Sequence, residues 1–233
     1  MKKILFLFAF GCSLFSAVNS TAADKPNILW IVSEDNSLYI NCFGDKLAKT
    51  PNIDGLAADG VRYKMAYSNA AVCAPARTTL ILGMYPPSVG GEHMRSQVPL
   101  PGFIKSYAKY LQEAGYYTTN NSKKDYNLDQ DFPGWDESSN NAHWKNRPAG
   151  KPFFAIFNTS DTHESRLHPS RHTFPLGADP AAVHVPAYLP DTPTVRNRIA
   201  TYYHCISVMD DFVGEKLKEL EDAGLAEDTI VFY

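Results

Sequence analysis

The chain alternates between two kinds of hydrophobic pattern. Residues 28–32 (ILWIV) and 153–158 (FFAIFN) are short, continuous apolar runs rich in β-branched and aromatic side chains. Such runs suit strands buried on both faces of a parallel sheet. Residues 116–120 read as another strand, 229–233 as the start of a further buried one, and residues 61–67 as a short strand leading to the loop before Cys73. Between them lie helical patterns. Thr50 and Pro51 open a helix that stops near Gly60, with Thr50 as the capping side chain. Pro75 sits in the first turn of a helix that starts at Cys73 and ends at Gly83. Residues 101–114 place Phe103, Ile104, Tyr107, Ala108 and Leu111 on one face, with Gly115 as the stop. A long helix starts at Asp191 or Thr192 and runs to about Ala223, before Gly224. Its inward face carries Val195, Ile199, Tyr202, Tyr203, Ile206, Val208, Met209, Phe212, Val213, Leu217 and Leu220. The expected class is α/β: a mostly parallel sheet between helices.

Composition changes this picture little. The 233 residues are 44% hydrophobic and 20% charged, with a net charge of -3, which gives no bulk electrostatic reason to bind nucleic acid. The N-terminus adds more. Lys2 and Lys3 precede an apolar stretch from residue 4 to 18, and small residues follow at 20–23. This is the layout of a secretory signal spanning residues 1–23, and the run is short for a membrane span. The expected location is therefore secreted or periplasmic, without stable membrane insertion. Removing the segment removes Cys12 and leaves Cys42, Cys73 and Cys205, an odd number, so at least one thiol lacks an internal partner. Pairing of Cys42 with Cys205 stays open at this stage.

Candidate chemistry gathers where strands end, because ligands of open α/β sheets collect at the carboxyl ends of strands. Glu34 and Asp35 follow the first strand and offer carboxylate oxygens to a hard cation; an acidic turn is the plainer alternative. Lys123 follows the strand at 116–120, and His163 the strand at 153–158. His93 and Arg95 lie in a polar, glycine-rich loop that could line a pocket or simply face solvent. Residues 121–150 form a long polar excursion whose aromatics, Phe132, Trp135 and Trp144, either stack on sugar rings or cover the core. Asp210 and Asp211 read as structural polar contacts. At the start of the helix at 73, free backbone N–H groups favour an anion, and Arg77, one turn on, projects toward the same end.

The segment Cys73-Ala74-Pro75-Ala76-Arg77, followed by a helix ending in Gly83, resembles the signature of the type I sulfatases. Other landmarks occur in that family's order: the acid pair, the Thr-Pro-Asn helix at 50–52, Lys123, His163, and a long helix before a strand. The resemblance covers residues 26–233, and residues 186–203 and 209–225 are most similar to the heparan N-sulfatase group. It implies an alkaline-phosphatase-like fold and conversion of Cys73 to formylglycine by a formylglycine-generating enzyme. It also implies a cation (Ca²⁺ or Mg²⁺) at Glu34, Asp35 and the modified Cys73. Arg77, Lys123 and His163 then act on a sulfated glycan or another small sulfate ester. Three positions depart from the usual pattern: Glu34 for Asp, Ala76 for Ser, and Asp125 where a His is common. Further metal ligands are expected just past the strand at 229–233, so residues 24–233 read as the N-terminal portion of an incomplete catalytic domain. A phosphatase or phosphodiesterase of the same superfold, and an inactive truncated chain, are the competing readings.

Overall fold

The computed structural model describes residues 25–129, 134–168 and 173–233; residues 1–23, expected to be a secretory signal, and Phe132 lie outside them. Five parallel strands form one sheet: β1 (Asn27–Val32), β2 (Tyr117–Asn121), β3 (Glu137–Ser138), β4 (Phe153–Asn158) and β5 (Thr229–Phe232), in the order β3-β2-β4-β1-β5. The register sets Val32 beside Asn158 and Asn121 beside Phe157, so β1, β2 and β4 finish together at one edge. That shared edge is what assembles the site.

The helices are α1 (Pro51–Asp59), α2 (Cys73–Leu82), α3 (Tyr107–Glu113) and α4 (Pro193–Asp222). The main core joins Leu29, Ile31, Phe153 and Phe157 of the sheet to Ile199, Ile206, Met209 and Val213 of α4. Truncating a fully buried ring such as Phe157 to Ala would cost about 3–5 kcal/mol. The opposite face is thinner: Phe154 and Ile156 are buried there, with Trp30, Tyr107 and Trp135 partly covered around them. Trp135 stacks on Phe154, ring centres 5.8 Å apart, and Trp144 on Phe153 at 5.2 Å. Both tryptophans therefore cover the core rather than stand free for a sugar.

Four expectations need correction. Residues 61–67 form no strand; Val61, Tyr63, Met65 and Tyr67 are 72–84% exposed. A strand exists only where its backbone pairs with a neighbour, and among the described residues none lies alongside. The helix expected from residue 101 begins at Tyr107, because Ser106 caps it by accepting the Lys109 N–H at 3.0 Å, leaving Phe103 exposed. β5 is a half-exposed edge strand rather than a buried one, with Ile230 and Phe232 about half exposed, and Val208 likewise faces outward from α4. Finally, Thr50 precedes α1 but its hydroxyl does not cap it. Asp210 of α4 does that, accepting the N–H groups of Asn52 (3.0 Å) and Ile53 (2.9 Å) while 1% exposed. Asp210 is thus the structural contact foreseen, whereas Asp211 is exposed. Thr192 caps α4 through the Val195 N–H, and Gly83 closes α2 at φ 66. Cys42, Cys73 and Cys205 are all free thiols, so Cys42 and Cys205 do not pair.

Candidate active site

α2 starts at Cys73 from an extended Val72 that offers no capping side chain, and no acid occupies its first turn. The positive end of the helix is therefore left open. Cys73 is half-buried and lines a cavity of about 370 Å³ together with Glu34, Asp35, Ala76 and Arg77. A second cavity of about 330 Å³ holds Glu34, Lys123, Asn158 and His163. Glu34 lines both.

The centre of this arrangement is one carboxylate oxygen. Glu34 Oε1 accepts from Arg77 Nη2 at 3.2 Å and from Lys123 Nζ at 2.5 Å. The side chains of Glu34 and Arg77 are each 7% exposed. Losing one member of such a buried set leaves the others uncompensated. Arg77 is tied down further: Nη1 donates to Asn158 Oδ1 at 2.7 Å. Thr162 fixes the strand end by donating its hydroxyl to the Glu34 carbonyl.

Asp35 sits in the left-handed region at φ 48. The Tyr202 hydroxyl holds the Asp35 carbonyl at 2.7 Å, and the Glu164 N–H donates to Asp35 Oδ2 at 2.9 Å. Burial, followed by the nearby Asp35 charge, pushes the Tyr202 phenol well above its ordinary range, so it stays a donor. His163 Nε2 lies 3.9 Å from Asp35 Oδ2. Its Nδ1 receives the Ser165 N–H at 3.3 Å. A backbone N–H can only donate, so Nδ1 is the acceptor and the neutral ring carries its proton on Nε2.

Four of the expected site residues thus meet around Glu34: Arg77 and Lys123 directly, Cys73 and His163 across the two cavities. Asp35 borders the first cavity and faces His163. His93 is not among them; its side chain is 84% exposed beside Glu92, and Arg95 is exposed as well. Asn158 and Asn120, at the ends of neighbouring strands, carried a readable signal by position but look like ordinary polar strand ends in the sequence.

The cation that the family resemblance implies does not fit the described residues as they stand. Glu34 is already taken by two cationic side chains. Among the described residues no three of His, Cys, Asp and Glu cluster as a cage. A calcium ion needs about 6–8 oxygens, far more than Asp35 and one shared carboxylate supply.

The Sulfatase family model matches residues 26–148 and 136–233. An ulvan-active sulfatase of Formosa agariphila is 38% identical over 90% of this chain and 43% of its own length. The N-sulphoglucosamine sulphohydrolase of Homo sapiens is 24% identical over 95% of this chain and 52% of its own. The chain thus spans about half the length of these relatives. Among solved structures, BT4656 in complex with its substrate D-glucosamine-2-N,6-O-disulfate superposes with a TM-score of 0.66 at 17% identity, covering 89% of this chain and 64% of that one. A phosphonate monoester hydrolase of Agrobacterium radiobacter does so with 0.67 at 18%, covering 88% and 61%. At that identity the likeness speaks for the alkaline-phosphatase-like fold alone. With the family model spanning nearly all of residues 26–233, this chain belongs to the sulfatase family.

Proposed function

We propose that these residues form part of the active site of an exported sulfuric ester hydrolase acting on sulfated glycans. The observation that carries the reading is the convergence of Arg77 and Lys123 on a single anionic oxygen beside the open N-terminus of the helix that bears Cys73. Two cations against one carboxylate leave a surplus positive charge where a sulfate group would enter. Sulfated-glycan substrates are suggested by the relatives' names, and export by the signal-like residues 1–23.

Cys73, converted to formylglycine by the host's formylglycine-generating enzyme, supplies a hydrated aldehyde whose one hydroxyl attacks sulfur and whose other allows sulfate to leave. A thiol or a serine hydroxyl lacks that second group. The half-buried position of Cys73 at a helix mouth suits the modification, since the side chain is reachable and faces the cavity. Arg77 and Lys123 bind the sulfate oxygens and stabilise the charge that grows on the transferring group. His163, with its proton on Nε2, delivers it to the leaving oxygen or nitrogen. The Ser165 N–H on Nδ1 holds that imidazole in orientation, while Asp35 Oδ2, 3.9 Å from Nε2, is beyond hydrogen-bond distance. A divalent cation, Ca²⁺ or Mg²⁺, would need donors beyond those described, so no step here depends on one.

The test uses protein purified from its native host. Peptide mass analysis should find residue 73 as formylglycine, and aryl sulfate should be hydrolysed in preference to aryl phosphate. Cys73→Ser should lower aryl sulfate turnover at least about a thousandfold, as removing a nucleophile does. An unaltered thiol at 73, or normal turnover by the serine variant, would defeat the reading. A preference for phosphate would move the protein to the phosphatase branch of the fold.

A further inference from the structure

Arg77 can serve as an anion binder only if something keeps its guanidinium from folding entirely onto Glu34. Its Nη2 is committed to Glu34, but Nη1 points elsewhere, 2.7 Å from Asn158 Oδ1. The orientation of the Asn158 amide is not arbitrary. Its Nδ2 donates to Asn120 Oδ1 at 3.0 Å and to the Asn121 carbonyl at 3.1 Å, both pure acceptors. That leaves Oδ1 to face Arg77, which has only donors. Asn120 is itself fully buried and fixed: its Nδ2 donates to Ser138 Oγ at 3.0 Å and to the Lys123 carbonyl at 3.2 Å. Arg77 Nη1 reaches the same Lys123 carbonyl at 3.5 Å. The chain of amides therefore touches both cations of the anion site, Arg77 directly and Lys123 through its backbone.

The chemistry of the acceptor matters as much as its place. A carboxylate at position 158 would hold Arg77 equally well and cancel its charge. An amide oxygen holds it and leaves the charge intact. We infer that Asn158, locked by Asn120, is a positioning residue that sets the Arg77 guanidinium against Lys123 so that the pair receives a tetrahedral anion. This rests on the proposal that Arg77 and Lys123 bind sulfate. Asn158 acts through Arg77 and is not assigned contact with the reacting atoms.

The experiment measures the dissociation constant for inorganic sulfate by calorimetry, on the full chain, well below the melting temperature of each variant. Asn158→Ala should weaken binding about tenfold, the worth of one hydrogen bond to a charged group. Asn158→Asp should weaken it further, because it restores an acceptor but adds an opposing charge. A role confined to folding would lower the melting temperature of both variants and leave sulfate affinity unchanged, which overturns the inference. Arg77→Ala is the control on the underlying site: if it binds sulfate as tightly as the parent, the anion site itself is misassigned. Should the Asn158 variants fail to fold, the side-chain N–H signals of Arg77 in ¹⁵N-labelled parent protein decide. Slowly exchanging, resolved signals that shift on sulfate addition support positioning, and a freely rotating guanidinium overturns it.

Discussion

Two clusters in this molecule look alike in composition and differ in what they can do. In the first, Glu34 faces Arg77 and Lys123. In the second, Glu219 of α4 faces His143 at 2.8 Å, Lys145 at 2.8 Å and Lys216 at 2.8 Å. The second is closed on itself. Lys216 has another carboxylate, Glu215, at 3.0 Å, so two lysines meet two glutamates. Its ammonium also lies over the rings of Phe157 and Phe212, at 5.0 and 5.2 Å from their centres. The first cluster has two cationic side chains against one carboxylate, a neutral amide as a further partner of Arg77, and cavities beside it. A balanced ion cluster fastens a helix. An unbalanced one beside a cavity leaves charge for an incoming anion.

The largest expected effect tests that contrast directly. Arg77→Ala or Lys123→Ala should lower kcat/KM for an aryl sulfate about a hundredfold or more, the usual consequence of deleting one charge-stabilising donor. Lys145→Ala should leave kcat/KM unchanged within a factor of two and shift only the unfolding midpoint, since exposed or half-exposed ion pairs are worth about 0–1 kcal/mol. Equal kinetic losses from both clusters would erase the distinction.

Asp210 sharpens the contrast from a third direction, as a buried carboxylate held by N–H groups, with no cation among its hydrogen-bond partners in the described residues. Asp210→Ala leaves two backbone donors of α1 without a partner. Denaturant unfolding should show a loss of about 2–4 kcal/mol, while sulfate affinity stays as in the parent. A loss under half a kcal/mol would mean that water replaces the cap.

The smallest effect is in pH dependence. Burial raises the Glu219 carboxyl pKa, but the bonds from Lys145 and Lys216 outweigh it and bring it from an ordinary 4.5 down to about 2. A lowered carboxyl pKa means stability that is present above pH 4.5 and is lost as pH falls toward 2. His143 is lowered too, by burial first; its pairing with Glu219 pushes the other way and does not win. It therefore adds acid sensitivity as pH drops below the ordinary histidine range. Melting temperature against pH should show Glu219→Gln less stable than the parent at pH 7, with the gap closing on acidification. A gap that is constant with pH would show that Glu219 contributes through packing alone.

Much of this architecture was written locally. Apolar runs at 28–32 and 153–158 became β1 and β4, and Thr192, Pro193 and Gly224 bracketed α4, because strand and helix periodicity and capping depend on near neighbours. The spacing of Cys73 and Arg77 placed both near one helix end for the same reason. Where the sequence misled, the missing information was non-local. Among the described residues, 61–67 have strand-forming side chains but no adjacent edge, and β5 has an apolar run but one neighbouring strand, β1.

The local order of residues thus determined which elements exist, and placed an acid pair, a lysine, a histidine and a cysteine at element ends. Only the tertiary structure decided that Glu34 turns to Arg77 and Lys123, that Asn120 and Asn158 link them, and that Asp210 caps a helix more than 150 residues away in the chain. The reason is physical: hydrogen bonds and ion pairs act over about 3 Å, and which distant groups come that close is set by strand order and helix packing.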